Sequence, residues 1–166
     1  MDWVRLRLDV DAFDEKEFEP YLQRALTSGI WFTPMTDTPD NRRALYELNK
    51  TCSADIPERG EFYSYESYVA ERIEVPSFTP EGIIVALDGD TWIGMSATSL
   101  HPEGRAFSEM TGVLRPYRGR GLSLALKLLA IRFVRDQGCR WLDTIHHPRN
   151  DSAISMNRRL GFIDLP

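Results

Sequence analysis

Between Val113 and Ser123 the chain reads Val-Leu-Arg-Pro-Tyr-Arg-Gly-Arg-Gly-Leu-Ser, and this stretch carries its most specific chemistry. A strand ends there, a tight turn containing two glycines follows, and a long apolar-faced helix begins. The first N–H groups of a helix have no partner inside it and carry the positive end of its dipole. Gly119 and Gly121 put no Cβ between those groups and an approaching anion. Arg115, Arg118 and Arg120 add positive charge. The arrangement predicts a phosphate site. It is not a P-loop, which needs Gly-Lys-Ser/Thr at its end, nor a dinucleotide fingerprint, because position 124 is Leu where a third glycine belongs. His101, His146 and His147, with Cys52 and Cys139, fall in no metal-ligand spacing, so no metal is expected. No Ser-His-Asp or Cys-His grouping has a recognisable elbow.

The elements that must position this loop follow from periodicity. Val4, Leu6, Leu8 and Val10 alternate with Trp3, Arg5, Arg7 and Asp9, which is a half-buried strand. Asp14 to Ser28 reads as a helix stopped at Gly29, with Pro20 expected to kink it. Ile30–Met35 is a short strand. Thr38-Pro39 starts a helix carrying Leu45, Leu48 and Cys52. Residues 53–63 form a loop, and Ser64 caps a short helix reaching Arg72. Asp88-Gly89-Asp90 turns a hairpin between 83–87 and 91–100. A second turn at 101–105 leads to the strand 107–114. Leu122–Arg135 is the strongest helix, and Gly138 ends it. A strand at 140–145 and a helix at 150–159 complete the chain. Strand, long helix, strand implies a right-handed parallel crossover, and the whole an α+β layer structure around one sheet.

At 166 residues the chain fits one ordinary domain, with 42% apolar and 27% charged residues. No run of 18 apolar residues exists to span a membrane. Two lone cysteines, and residues 1–30 without a basic start and apolar stretch, predict a reducing, cytoplasmic setting. Net charge is −5 but unevenly spread: residues 1–100 carry −10 and residues 101–166 carry +5. Arg115, Arg118, Arg120, Lys127, Arg132 and Arg135 stand between Glu109 and Asp136 with no acid among them. An acidic whole argues against a sequence-independent nucleic-acid binder, and a local anion site beside an acidic region fits better.

Arg118-Gly119-Arg120-Gly121-Leu122-Ser123 resembles the Arg/Gln-x-x-Gly-x-Gly/Ala loop of the GNAT superfamily of acyl-CoA N-acyltransferases. Val113 matches the Val that usually precedes that Arg by five residues. Asn150-x-x-Ala153 and Leu160-Gly161-Phe162 resemble its second signature. The resemblance covers roughly residues 30–162. It implies a GNAT-like fold, a central mixed sheet with helices on both faces, over 30–166. It also implies that the loop amides hold the pyrophosphate of coenzyme A. The expected coenzyme contacts are Val113, Leu114, Arg115, Arg118, Gly119, Arg120, Gly121, Leu122, Ser123, Asn150 and Asn157, with acetyl-CoA as the acyl donor. Three departures stand out: Ser123 replaces Gly or Ala, Asn157 stands where many members carry a Tyr that protonates the leaving thiolate, and two terminal strands are missing after Pro166. Residues 1–29, a strand and a helix, are expected to fill the vacant strand position, within one chain or by exchange in a homodimer. The start also resembles the joint of tandem members.

Acylating an amine with a thioester requires a base for the amine, a donor for the carbonyl oxygen and a proton for the thiolate. Glu109 is the expected base; period two puts it on one face with Thr111 and Val113. The family places a backbone N–H at the bulge of this strand, which here points to Val113 or Leu114. Pro116 is expected to end strand pairing and open a gap for the pantetheine arm. For the acid, Asn157 does not ionise near neutrality; His146, His147, Tyr63, Tyr65 and Tyr68 are the candidates, or water. Asp55, Glu58, Glu61 and Glu66 with the tyrosines suit a cationic acceptor. The leading reading is an acetyl-CoA-dependent N-acetyltransferase of a small primary amine, with no membrane or nucleic-acid partner. The alternatives are a non-catalytic acyl-CoA-binding or sensing module and a phosphate-binding nucleic-acid module.

Overall fold

The computed structural model describes residues 2–166. The strands are β1 (Val4–Asp9), β2 (Ile30–Pro34), β3 (Ile83–Asp88), β4 (Thr91–His101), β5 (Arg105–Val113), β6 (Trp141–His146) and β7 (Ile163–Asp164). The helices are α1 (Glu15–Thr27), α2 (Pro39–Cys52), α3 (Tyr65–Tyr68), α4 (Leu122–Asp136) and α5 (Asp151–Leu160). α3 runs on into a π-helical stretch, Val69–Ile73.

All seven strands form one sheet in the order β2-β3-β4-β5-β6-β1-β7. Every neighbouring pair is antiparallel except β5 and β6, the pair joined through α4. Such a crossover is obligatory for parallel neighbours. β1 lies within the same chain beside β6, in register from Val4 opposite His146 to Asp9 opposite Trp141. Arg7 and Asp143 clamp this pairing across the strands at 2.7 Å. β7 covers part of the outer edge of β1.

The two faces of the sheet are buried separately. Leu45, Leu48 and Tyr46 of α2 and Tyr68 of α3 pack on Ile83, Val85, Met95 and Ala97. On the other face, Leu128, Ile131 and Val134 of α4 meet Phe18 and Leu22 of α1 and Leu6, Leu8 and Leu142 of the sheet. The stripe of α4 at three- and four-residue spacing explains why it is the central helix. α1 continues through Pro20, whose ring forfeits one helical hydrogen bond without ending the helix. Asp14 and Thr38 cap α1 and α2 with their side chains, as their residue types suggest.

Candidate active site

β5 and β6 pair only from Arg105 opposite Trp141 to Phe107 opposite Asp143, then diverge. The expectation that pairing ends at Pro116 is corrected by this: the fork opens eight residues earlier in the chain, at Ser108. The cause lies on the other edge of β5. Ala97 pairs with Met110 but Thr98 pairs with Ser108, so Glu109 is an extra residue, a β-bulge. A bulge bends its strand and raises the local twist, which turns the rest of β5 away from β6. Thr144 Oγ1 donates to the Ser108 carbonyl at 3.1 Å and holds the base of the fork.

The bulge also breaks the alternation of faces. Ser108 points toward α4, where Lys127 Nζ reaches it. Glu109 and Met110 both point toward α2 and α3. Val113 packs with Leu122 and Leu126 of α4. The expectation that Glu109, Thr111 and Val113 share one face is therefore corrected, because one inserted residue shifts the period of two. Glu109 accepts a hydrogen bond from Ser99 Oγ at 2.7 Å, and Arg72 Nη2 lies 3.2 Å from its other oxygen. Ser99 Oγ is also 2.8 Å from His101 Nε2. Glu109 borders two spaces, the fork and a small pocket lined by Asn49, Tyr68, Arg72 and Ser99.

The fork is a cleft of about 610 Å³. At its mouth Gly119 and Gly121 take φ of +79° and +77°, a region L side chains rarely adopt. Gly121 immediately precedes α4, so the first amides of α4 face the cleft without helical partners. Arg118, Gly119, Gly121, Leu122 and Ser123 line it, as do Val113, Asn150 and Asn157. Leu114, Arg115 and Arg120, also expected as coenzyme contacts, lie outside this lining. The Leu114 N–H donates to the Ile93 carbonyl at 2.9 Å and its side chain packs in the core. Arg115 forks onto Asp55, and Arg120 lies over the Tyr117 ring and donates to the Pro116 carbonyl. Because Leu114 is bonded to β4, the alternation of an antiparallel ladder turns the N–H groups of Thr111 and Val113 toward the open side. The Val113 carbonyl, on that side, accepts from Arg118 Nε at 2.9 Å.

The acidic loop after α2 clasps both lips of the fork. Asp55 holds Arg115 and also Arg118 Nη1, the latter at 2.9 Å, and these bonds press its carboxyl down to about 2. Glu58 meets His147 Nε2 at 2.7 Å and Arg149 at 3.2 Å. Two of the four acids expected to shape an acceptor pocket are thus spent on the rim. Tyr68 is buried, and its hydroxyl accepts from Asn49. Burial raises its pKa.

The candidates for the acid separate. His147 Nδ1 accepts the Arg149 N–H at 3.0 Å and its Nε2 faces Glu58, so it ties the β6–α5 turn to the loop after α2. His146 lines the cleft, but burial first, and then the charge of Lys127, push it down to about 4. It is neutral at pH 7, 2.8 Å from Asn157 Nδ2. Asn157 Oδ1 is buried and finds no partner among the described residues. Asn150 precedes α5, yet its side chain makes no capping bond and lines the cleft. The sequence reading counted Lys127 only as one of six cations between Glu109 and Asp136 and gave it no separate role. Its position, three residues after Leu124 and four before Ile131 on the apolar stripe of α4, was the signal.

Comparison with known proteins adds the family. Residues 42–162 match the family model of the acetyltransferase (GNAT) family. The chain belongs to that family. Two mycothiol acetyltransferases, from Pseudarthrobacter chlorophenolicus and Segniliparus rotundus, are each 31% identical to it, over 84% and 75% of the chain. The alignments span 44% and 48% of those relatives, so this GNAT chain covers less than half of their length. A GCN5-related N-acetyltransferase from Sphaerobacter thermophilus superposes with a TM-score of 0.67, at 21% identity, over 98% of the GNAT chain and 48% of its own. A tandem GNAT protein from the clavulanic acid biosynthesis pathway superposes with 0.66, at 19% identity, over 98% and 50%. These likenesses establish the mixed sheet with helices on both faces as the GNAT fold.

Proposed function

We propose that the chain transfers an acetyl group from acetyl-CoA to a small primary amine, with Glu109 as the general base. The observation that carries this reading is the fork itself. Its mouth presents unpaired α4 amides behind two glycines, a fit for a diphosphate, and its inner end reaches the bulge residue Glu109. A long arm ending in a thioester suits a cleft of this shape; the thioester supplies the activated carbonyl.

The residues divide the work. The loop amides and Arg118 hold the donor's anionic end. The inward N–H groups of Thr111 and Val113 stand ready for carbonyl oxygens along the arm. Glu109 takes a proton from the acceptor's ammonium group, and the freed amine attacks the carbonyl carbon. The acceptor approaches from the α2–α3 side, to which Glu109 points. The relatives' name, mycothiol acetyltransferase, supports a small-molecule acceptor. The test is thiol release from acetyl-CoA across a panel of primary amines. Turnover with at least one amine is expected, with release falling about 10²-fold or more in Glu109→Gln while calorimetric CoA binding persists.

A second reading, a non-catalytic acyl-CoA-binding module, is favoured by one observation: the Asn157 side-chain amide is hydrogen-bonded to a neutral His146 and has no acidic proton to give. Tight CoA binding without release on any amine would select it.

A further inference from the structure

The chain has 17 arginines and three lysines, and among the described residues one of those lysines is the only buried one of these cations. Lys127 is 1% exposed and lines the cleft, about 7.5 Å along α4 from the first helical residue. Its Nζ makes one hydrogen bond, to Ser108 Oγ at 3.0 Å, and lies 4.9 Å from the centre of the Phe162 ring. No carboxylate pairs with it among the described residues. An ammonium group has three donors, so two are unspent beside a cleft. Nearby, Asn157 Oδ1 is likewise buried and has no partner among the described residues. Burying charge or polarity without partners is costly, and the contacts present here do not recover that cost. An arginine at this position could not release a proton, whereas a desolvated lysine can.

We propose that Lys127 is the catalytic proton donor to the sulfur of the departing thiolate. The proposal rests on the acyl-CoA reading above. The acceptor nitrogen, having given one proton to Glu109, forms its bond to the carbonyl carbon and loses its second proton to solvent. The carbon–sulfur bond breaks and its electron pair goes to sulfur. Lys127 delivers a proton to that sulfur and becomes a neutral amine, and water returns the proton once the products leave. Asn157 cannot do this, and His146 is neutral and already engaged. Burial brings Lys127 down to about 7, which keeps both of its forms accessible near neutrality. The groups around it leave that balance to desolvation. β5 offers Ser108, with Glu109 turned to the opposite face. β6 offers His146, and the turn after α5 offers Phe162.

Three lysines make the test direct. Lysine ¹³Cε resonances of the wild-type protein are titrated free, with CoA, and with desulfo-CoA, which lacks the sulfur. A thiolate partner stabilises the ammonium form, so CoA should raise the Lys127 midpoint by about one unit or more, a tenfold shift, and desulfo-CoA should not. In parallel, the ultraviolet absorbance of bound CoA thiolate should show a depressed thiol pKa in the wild type that Lys127→Met returns toward the free-thiol value. Equal midpoints with both ligands, each shown by calorimetry to bind, overturn the proposal and leave the acyl-CoA reading standing. Absence of heat with either ligand removes both.

Discussion

Tyr21 of α1 lies against the backbone of Gly121, so close that a β-carbon there would stand 2.5 Å from the Tyr21 ring. Arg24 and Arg159 flank that ring, 4.7 Å and 5.1 Å from its centre. The amino-terminal helix therefore buttresses the turn that starts α4, and two separate constraints fall on one glycine.

The two loop glycines should respond differently to substitution. A β-carbon at Gly119 meets nothing, so Gly119→Ala costs only the positive φ, about 1 kcal/mol. Gly121→Ala adds the collision with Tyr21 and should cost about 2–3 kcal/mol, since an overpacked contact adds a similar amount. Urea denaturation of both variants measures this. Equal midpoints would show that Tyr21 does not press on the turn.

Glu109→Gln keeps the shape of the side chain and its bond from Ser99 but removes the base. The rate should drop by about 10²–10⁴ with CoA affinity within a few-fold of the wild type. A steady-state comparison at neutral pH, with the amine found in the panel, decides it. A variant as fast as the wild type would move the base elsewhere.

Lys127 ties stability to alkaline pH. Its folded pKa of about 7 lies below the ordinary lysine value. Between the two the unfolded chain binds the extra proton, so stability rises as pH climbs from about 7 to about 10.4, at most about 1.4 kcal/mol per unit. Chemical denaturation at pH 7 and pH 9 should show that gain in the wild type and not in Lys127→Met. A wild-type curve as flat as the variant's would contradict the buried ammonium.

Asp55 acts in the acid range with the opposite sign. Its hydrogen bonds to Arg115 and then Arg118 hold the folded carboxyl at about 2, against about 3.9 unfolded. The stabilisation is complete above about pH 4 and is lost as pH falls toward 2. The difference in melting temperature between the wild type and Asp55→Asn should therefore shrink over that interval. A difference constant from pH 5 to pH 2 would mean that these pairs contribute nothing.

Much of the fold was legible because it rests on local codes. The alternation of Val4 to Val10, the Thr38-Pro39 start, the Asp-Gly turn and the apolar stripe of α4 each specify an element within a few residues. The pairing of Gly119 and Gly121 with a helix start was legible for the same reason. The π-helical run after Tyr68 was not, since nothing in Val69–Ile73 distinguishes a wider turn from an α-helical one.

By itself, then, the amino-acid order determined most of the elements, their sequence along the chain and the glycine turn that precedes α4. Tertiary structure alone decided which side chains face the cleft. The bulge at Glu109 inverted a face that strict alternation had assigned, because pairing with β4 rather than local sequence inserts the extra residue. Asp55 claimed Arg115, and Ile93 claimed the Leu114 amide, through partners more than 20 positions away. Burial of Lys127 likewise depends on Ser108 and Phe162 closing around it. Desolvation and hydrogen-bond competition depend on neighbours in space, which no spacing along the chain encodes.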